Sequence, residues 1–166
     1  MKHAPLFLCG LAALLQLPAQ AQPAPEKKNW FDDPFFQVSA GLPGCPVPEG
    51  PLLTLEEQRQ EAHWRAERGT SCWLAGQCRE SNAYRYDKTL APQVEAALKS
   101  LPGIAGSSVW VMLQRRWVFL QGCVTSPGQA LALEQAAKTV PEVEAVVPML
   151  GVGTGTEPRY PVAPGP

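Results

Sequence analysis

Leu101-Pro102-Gly103-Ile104 and Val140-Pro141-Glu142-Val143 are two similar junctions in this chain of 166 residues. Each closes a segment with helical spacing and leads into an apolar run, Val109 to Leu113 in one case and Val146 to Leu150 in the other. Both runs end in a Met-Leu pair. This repetition of helix, turn and strand predicts one small two-layer α+β domain with internal αβ similarity.

Two helices belong to that domain. The first is predicted over about residues 90 to 100, with Thr89 as its N-cap and Leu90, Val94 and Leu98 on one side. The second begins at Ser126, which caps it; Pro127 takes the first helical position and Gln129 completes a capping box.

Three strands complete the domain, over about residues 109–114, 117–124 and 145–152. The first two turn at Arg115-Arg116, which lacks the Gly or Asn that tight hairpins prefer. The predicted order is α-β-β-α-β over residues 84–152, with both helices on one face of the sheet. The proline-rich tail, 153–166, is expected to be disordered.

An aromatic and proline-rich extension, residues 29–83, precedes the domain. Its first part, up to residue 53, has too many prolines for regular structure and too many aromatics to stay in water. Thr54 and Glu57 form a capping box that starts a helix over about 55–68, and Gly69 can end it. Residues 70–82 then form a loop that holds Cys72 and Cys78.

The N-terminus has the three-part layout of a secretory signal peptide. Lys2 and His3 precede an apolar run from Leu6 to Leu17, and a small-residue cleavage signal ends at Ala21. We expect cleavage after Ala21, a solvated linker over 22–28, a periplasmic location and no later transmembrane segment.

The charge balance argues against a nucleic-acid-binding protein. The chain has 14 basic and 15 acidic residues, so removal of Lys2 with the leader leaves 13 basic residues and a net charge near −2. Nucleic-acid binding depends on many contacts from Lys and Arg to phosphates.

Four cysteines remain after cleavage: Cys45, Cys72, Cys78 and Cys123. An even count in an oxidising compartment predicts two disulfides. A zinc site is the alternative, but it needs close ligand pairs, whereas Cys72 and Cys78 are separated by five residues. Spacing alone leaves the connectivity open.

Strand alternation gives the hairpin two apolar faces. One carries Val109, Val111 and Leu113 with Val118 and Leu120, and should pack on the helices. The opposite face is normally wet and polar, yet here it carries an aromatic set with the cysteine beside it: Trp110, Met112, Trp117, Phe119, Gln121 and Cys123.

Two interpretations of this aromatic face compete. In the first, the extension covers it with Trp30, Phe31, Phe35, Phe36, Trp64 or Trp73, and a disulfide joins Cys123 to Cys45, Cys72 or Cys78. In the second, the face is an open ligand or membrane surface. Arg115 and Arg116 at the hairpin tip would then meet lipid head groups, although a solvated tip is the simpler interpretation.

The chain shows no convincing catalytic apparatus, metal centre or cofactor motif. His63 has no nucleophile or second ligand spaced with it. Asp32-Asp33 is not followed by a calcium loop, and Cys72 and Cys78 lack the spacing of a redox pair. We therefore predict a protein that is not an enzyme and uses no cofactor.

The run from Trp117 to Val124, the capped helix after it, and the junction at Val140–Val143 resemble the BON domain. This is the αββαβ module of bacterial osmotic-stress and nodulation proteins, and the resemblance covers residues 84–153. Two departures stand out: the family often has Gly at the hairpin turn, and Glu142 replaces the usual Gly before Val143.

The resemblance implies a binding module of the cell envelope, with phospholipid surfaces or envelope proteins as partners. A chaperone-like or structural stress protein of the periplasm is the alternative. Liposome binding with and without anionic lipid would separate the two.

Overall fold

The computed structural model describes residues 25–165, so the expected leader and the first three residues of the linker lie outside the described residues. Three helices, α1 (Leu55–Leu74), α2 (Asp87–Lys99) and α3 (Pro127–Lys138), accompany one sheet. Its strands are β1 (Phe35–Ala40), β2 (Ser108–Gln114), β3 (Trp117–Val124) and β4 (Ala145–Val152). Short 3-10 turns lie at Ala83–Tyr86 and Ile104–Gly106. This architecture confirms an α+β fold with the order α-β-β-α-β from α2 to β4.

The sheet has the spatial order β1-β2-β3-β4. Neighbours β1 and β2, and then β2 and β3, pair antiparallel, whereas β3 and β4 pair parallel because α3 returns the chain between them. The fourth strand, β1, corrects the expectation that residues 29–53 lack regular structure. Pro34 lies just before β1, and Phe35 to Ala40 is a proline-free run that pairs along the free edge of β2.

The core lies between the sheet and helices α2 and α3. Leu90, Val94 and Leu98 of α2 are buried against the predicted inner side of the hairpin. Leu133 and Ala137 of α3 complete the layer. The helical and strand periodicities of the sequence therefore identified the core correctly.

Helix α1 is longer than the sequence predicted. It continues through Gly69 to Leu74, which places Cys72 and Trp73 on its last turn and not in a loop. The Asn82 side chain explains why a glycine is needed inside the helix: a Cβ atom at Gly69 would lie 2.4 Å from Asn82 Oδ1. Gly69 thus allows close packing and does not end the helix.

The ends of the other helices follow the sequence more closely. Ser126 caps α3 by accepting from the Gln129 amide at 3.1 Å, while the Gln129 side chain accepts from the amide of Thr125 instead of Ser126. Helix α2 starts earlier than predicted, because it continues directly from the 3-10 turn that Asn82 caps. Thr89 consequently lies inside α2 and donates to the Tyr86 carbonyl.

Residues 154–165 are not disordered, contrary to the sequence expectation for the tail. Tyr160 is buried and donates to the Pro46 carbonyl at 2.8 Å. Two backbone bonds, from Glu49 to Pro161 and from Ala163 to Val47, hold the tail against the extension. The prolines prevent regular helix or strand in the tail. One buried tyrosine and three hydrogen bonds nevertheless hold it in a defined conformation against the extension.

Candidate functional site

The outer face of the sheet, on the side away from α2 and α3, carries the aromatic residues that the alternation predicted. Met112 pairs with Phe119, Trp110 with Gln121 and Ser108 with Cys123 across the hairpin. Directly opposite residues share a face of the sheet. These side chains therefore share a surface that the two domain helices do not cover.

One end of the outer face is covered by the extension. Cys45 forms a disulfide with Cys123, and the Ser108 hydroxyl bonds both the amide and the carbonyl of Leu42 at 3.0 Å. Trp110, Gln121 and Cys123 are all buried there. A disulfide from Cys123 to the extension is thus confirmed, with Cys45 as its partner.

The second disulfide joins Cys72 and Cys78 across the end of α1. All four cysteines that the sequence marked are therefore paired.

The other end of the outer face remains half open. Phe35, Met112, Phe119 and Val147 are consecutive partners across β1, β2, β3 and β4, and all are partly exposed. We call these four residues the outer row. Trp117 lies beside Phe119 with ring centroids 6.4 Å apart. The outer row crosses the whole sheet as an apolar band.

Several extension aromatics that could have covered this band lie elsewhere. Trp64 and Trp73 are 46% and 48% exposed on α1, and Trp30 donates to the Leu53 carbonyl with 40% of its surface exposed. Phe36 belongs to the inner side of the sheet and packs on the core. Phe35 alone of the predicted set joins the outer row, so the extension covers the outer face only in part.

The hairpin tip at Arg115 and Arg116 is a two-residue turn in which both residues have positive φ, 56° and 66°. Left-handed backbone at two non-glycine residues is costly. Asp87, at the start of α2, accepts from both turn amides at 2.7 Å. The buried carboxylate therefore holds the turn in a conformation that its own residues disfavour.

Burial raises the pKa of the Asp87 carboxyl from 3.8 to about 6, although the amides of Arg116 and Arg115 pull it down. Loss of water around the ion outweighs the stabilisation from two backbone donors. Asp87 consequently titrates close to physiological pH.

The two tip arginines have different surroundings. Arg116 is only 13% exposed and pairs with Glu142 at 3.4 Å and Glu144 at 3.8 Å. Arg115 lies over the Trp117 ring, 4.9 Å from its centroid, next to the outer row. Of the two predicted head-group contacts, Arg116 is thus already paired, whereas no ion pair within residues 25–165 involves Arg115.

A second concave surface was not predicted from the sequence. A groove of about 860 Å³ lies between α1 and residues 81–88. Its walls include Phe31, Arg65, Trp73, Tyr84, Arg85 and Lys88. We call this surface the α1 groove. The sequence carried no signal for it, because the groove depends on where α1 packs.

Arg65 forms the base of the α1 groove. Its guanidinium lies between the rings of Phe31 and Tyr84, 4.0 and 4.2 Å from their centroids. It also makes a two-pronged ion pair with the buried Asp33, which accepts from Gln114 Nε2 at 2.6 Å. This network ties α1 to the sheet and makes Asp33 a structural residue, not a calcium ligand.

The remaining chemical candidates stand apart from both surfaces. His63 is exposed and pairs with Glu67 at 3.3 Å. Within residues 25–165, no cluster of three or more His, Cys, Asp or Glu side chains has the arrangement of a metal site. No helix in that part of the chain combines the length and apolar character needed to cross a bilayer.

Comparison with known families gives one match: residues 86–154 fit the family model of the BON domain. The match confirms the resemblance carried by Trp117–Val124 and the junction that follows α3. No curated protein and no solved structure matches the chain significantly.

Proposed function

Because this chain carries a BON domain over residues 86–154, we propose that it is an exported, non-catalytic binding module of the bacterial cell envelope. BON domains bind membrane phospholipids, so a phospholipid surface is the first proposed ligand and an envelope protein the second. The leader-like residues 1–21 and the two disulfides support a periplasmic location.

The outer row with Arg115 is the observation that carries this proposal. Four partly exposed apolar side chains form a band across the sheet, and a guanidinium lies at its edge beside Trp117. Apolar surface can enter the boundary between head groups and acyl chains, while arginine pairs with phosphate oxygens. The arrangement suits the edge of an anionic bilayer.

Co-sedimentation with vesicles tests the proposal. One set contains phosphatidylethanolamine alone, and the other contains added phosphatidylglycerol. We expect binding to the anionic set and at least threefold weaker binding for Arg115→Asn and for Phe119→Ser. Asn tolerates the left-handed backbone of residue 115, so this change removes the charge while keeping the turn.

Lys99→Asn is the matched control, because it removes one positive charge at the far end of α2 and away from the outer row. Absence of binding to either vesicle type would contradict lipid contact and leave the envelope-protein partner. Equal binding to both types, with no effect of Arg115→Asn, would contradict the contact between Arg115 and anionic head groups.

A chaperone-like role is the second candidate. Trp73 and Leu74 at the end of α1 are 48% and 73% exposed, which gives apolar surface for unfolded clients. Suppression of client aggregation that is lost in Leu74→Ser, with vesicle binding unchanged, would support this role over the first.

A further inference from the structure

The α1 groove has the shape of a channel for an extended chain. Ala62, Ala66, Thr70 and Trp73 line one wall at spacings of four, four and three residues, so they form a single stripe along α1. At about 1.5 Å per residue the stripe is about 16 Å long. An extended segment of about five residues covers that length, at about 3.3 Å per residue.

The walls of the groove suit an apolar side chain. Trp73 is half exposed at one end, and the ring of Tyr84 is partly exposed above Arg65. Small side chains at Ala62 and Ala66 leave room between these rings. The Arg65 network with Phe31 and Asp33 fixes the base before any ligand arrives.

The charge of the groove has one sign. Arg65, Arg85 and Lys88 line it, and no carboxylate does. Arg65 is neutralised by Asp33 and also pairs with Glu61 at 3.3 Å. The other two have only loose partners: Glu80 lies 3.9 Å from Arg85, and Asp32 lies 3.5 Å from Lys88. Both pairs are largely exposed, so an incoming anion can displace them with little loss.

We propose that the α1 groove binds an acidic peptide segment in which apolar side chains alternate with carboxylates. The apolar side chains lie against Trp73 and Tyr84, and the carboxylates pair with Arg85 and Lys88. The length of the stripe, about 16 Å, favours a peptide over a single head group, which would fill only one end. This site shares no residue with the outer row and goes beyond the proposed lipid contact.

Fluorescence anisotropy with a labelled peptide, Glu-Leu-Glu-Leu-Glu, tests the proposal on the full mature chain with both disulfides intact. We expect at least tenfold weaker binding for the matched peptides in which Ser or Lys replaces every Glu. Added salt should weaken binding of the acidic peptide.

The variants Arg85→Glu/Lys88→Glu and Trp73→Ser should each weaken binding of the acidic peptide at least tenfold. All three side chains are exposed, and an unchanged thermal unfolding curve will show that the fold is retained. Lys99→Glu is the matched control, since it reverses an exposed charge on the same helix as Lys88 but outside the groove.

Equal binding of the three peptides, or full binding by Arg85→Glu/Lys88→Glu, would overturn the proposal. Displacement of the peptide by phosphatidylglycerol vesicles would also overturn it, because the groove would then select lipid phosphate. The two proposals fail separately: Arg115→Asn tests vesicle binding and should leave peptide binding unchanged.

Discussion

The buried Asp87 carboxyl supports the hairpin turn, but its burial makes its ionisation less favourable. Its pKa of about 6 lies above its ordinary 3.8, so the folded protein binds this proton at a higher pH than the unfolded chain. Stability from this group is therefore fully present below about pH 4 and is lost as the pH rises through 6. Between pH 7 and 5, acidification should favour the folded state at this position.

Asp87→Asn is expected to remove this pH dependence. At pH 7 it should also destabilise the protein by about 1–3 kcal/mol, because an amide NH₂ would face one of the two turn amides. Urea unfolding at pH 5, 6 and 7 measures both effects. Parallel pH profiles for the variant and the unchanged protein would contradict the assignment.

Gly122 is a second position where one residue type is required. A Cβ atom there would lie 2.1 Å from the Ser108 carbonyl oxygen, and the backbone has a φ of 125°. We expect Gly122→Ala to destabilise the protein by roughly 3 kcal/mol, since both the strand pairing and the backbone are strained. Thermal unfolding should show this loss, whereas Gly155→Ala, which meets nothing within 4 Å, should have little effect.

At the scale of elements, the two departures from the family pattern meet in space. Arg116, in the hairpin turn, and Glu142 both have positive φ, 66° and 68°. Arg116 Nε donates to the Glu142 carbonyl at 2.7 Å, and their charged groups lie 3.4 Å apart. The strain of the hairpin turn and of the turn before β4 is thus partly offset by one contact between them.

A double-mutant cycle with Arg116→Gly and Glu142→Gly tests this compensation. Each glycine relieves the backbone strain at its own position. Either single change already breaks the ion pair between residues 116 and 142, so the second change loses nothing further. The cycle should therefore give a favourable coupling of about 0.5–3 kcal/mol, measured by urea unfolding. The matched cycle with Arg115→Gly, at the neighbouring left-handed residue and without a contact to Glu142, should give a coupling near zero.

Local patterns predicted the elements well where neighbours in sequence decide them. The Ser126 cap, the boundaries of β3 and β4, and the inner positions of the hairpin depend on capping and on strict alternation. Helix α1 was predicted too short because the role of Gly69 depends on Asn82, which is 13 positions away in the sequence. Strand β1 was missed because its partner is β2, over 60 residues later.

At the scale of the whole molecule, the sequence predicted the aromatic face but not how much of it is covered. Alternation placed Trp117 and Phe119 on one side of the sheet, and an even cysteine count implied a disulfide bond for Cys123. The α1 groove could not be predicted, since it forms only when the Arg65–Asp33 pair docks α1 beside Tyr84. Such long-range placement leaves no periodic signal in the chain.

The Cys45–Cys123 disulfide joins the extension covalently to the domain across 78 residues, whereas Cys72–Cys78 spans six. In the chain-entropy model the long loop is worth about 4–5 kcal/mol and the short one about 2 kcal/mol. Cys45→Ser/Cys123→Ser should therefore lower the free energy of unfolding more than Cys72→Ser/Cys78→Ser. It should also expose Trp110, which iodide quenching of tryptophan fluorescence would detect. Equal losses in the two variants, with no gain in quenching, would mean that packing alone holds the extension on the outer face.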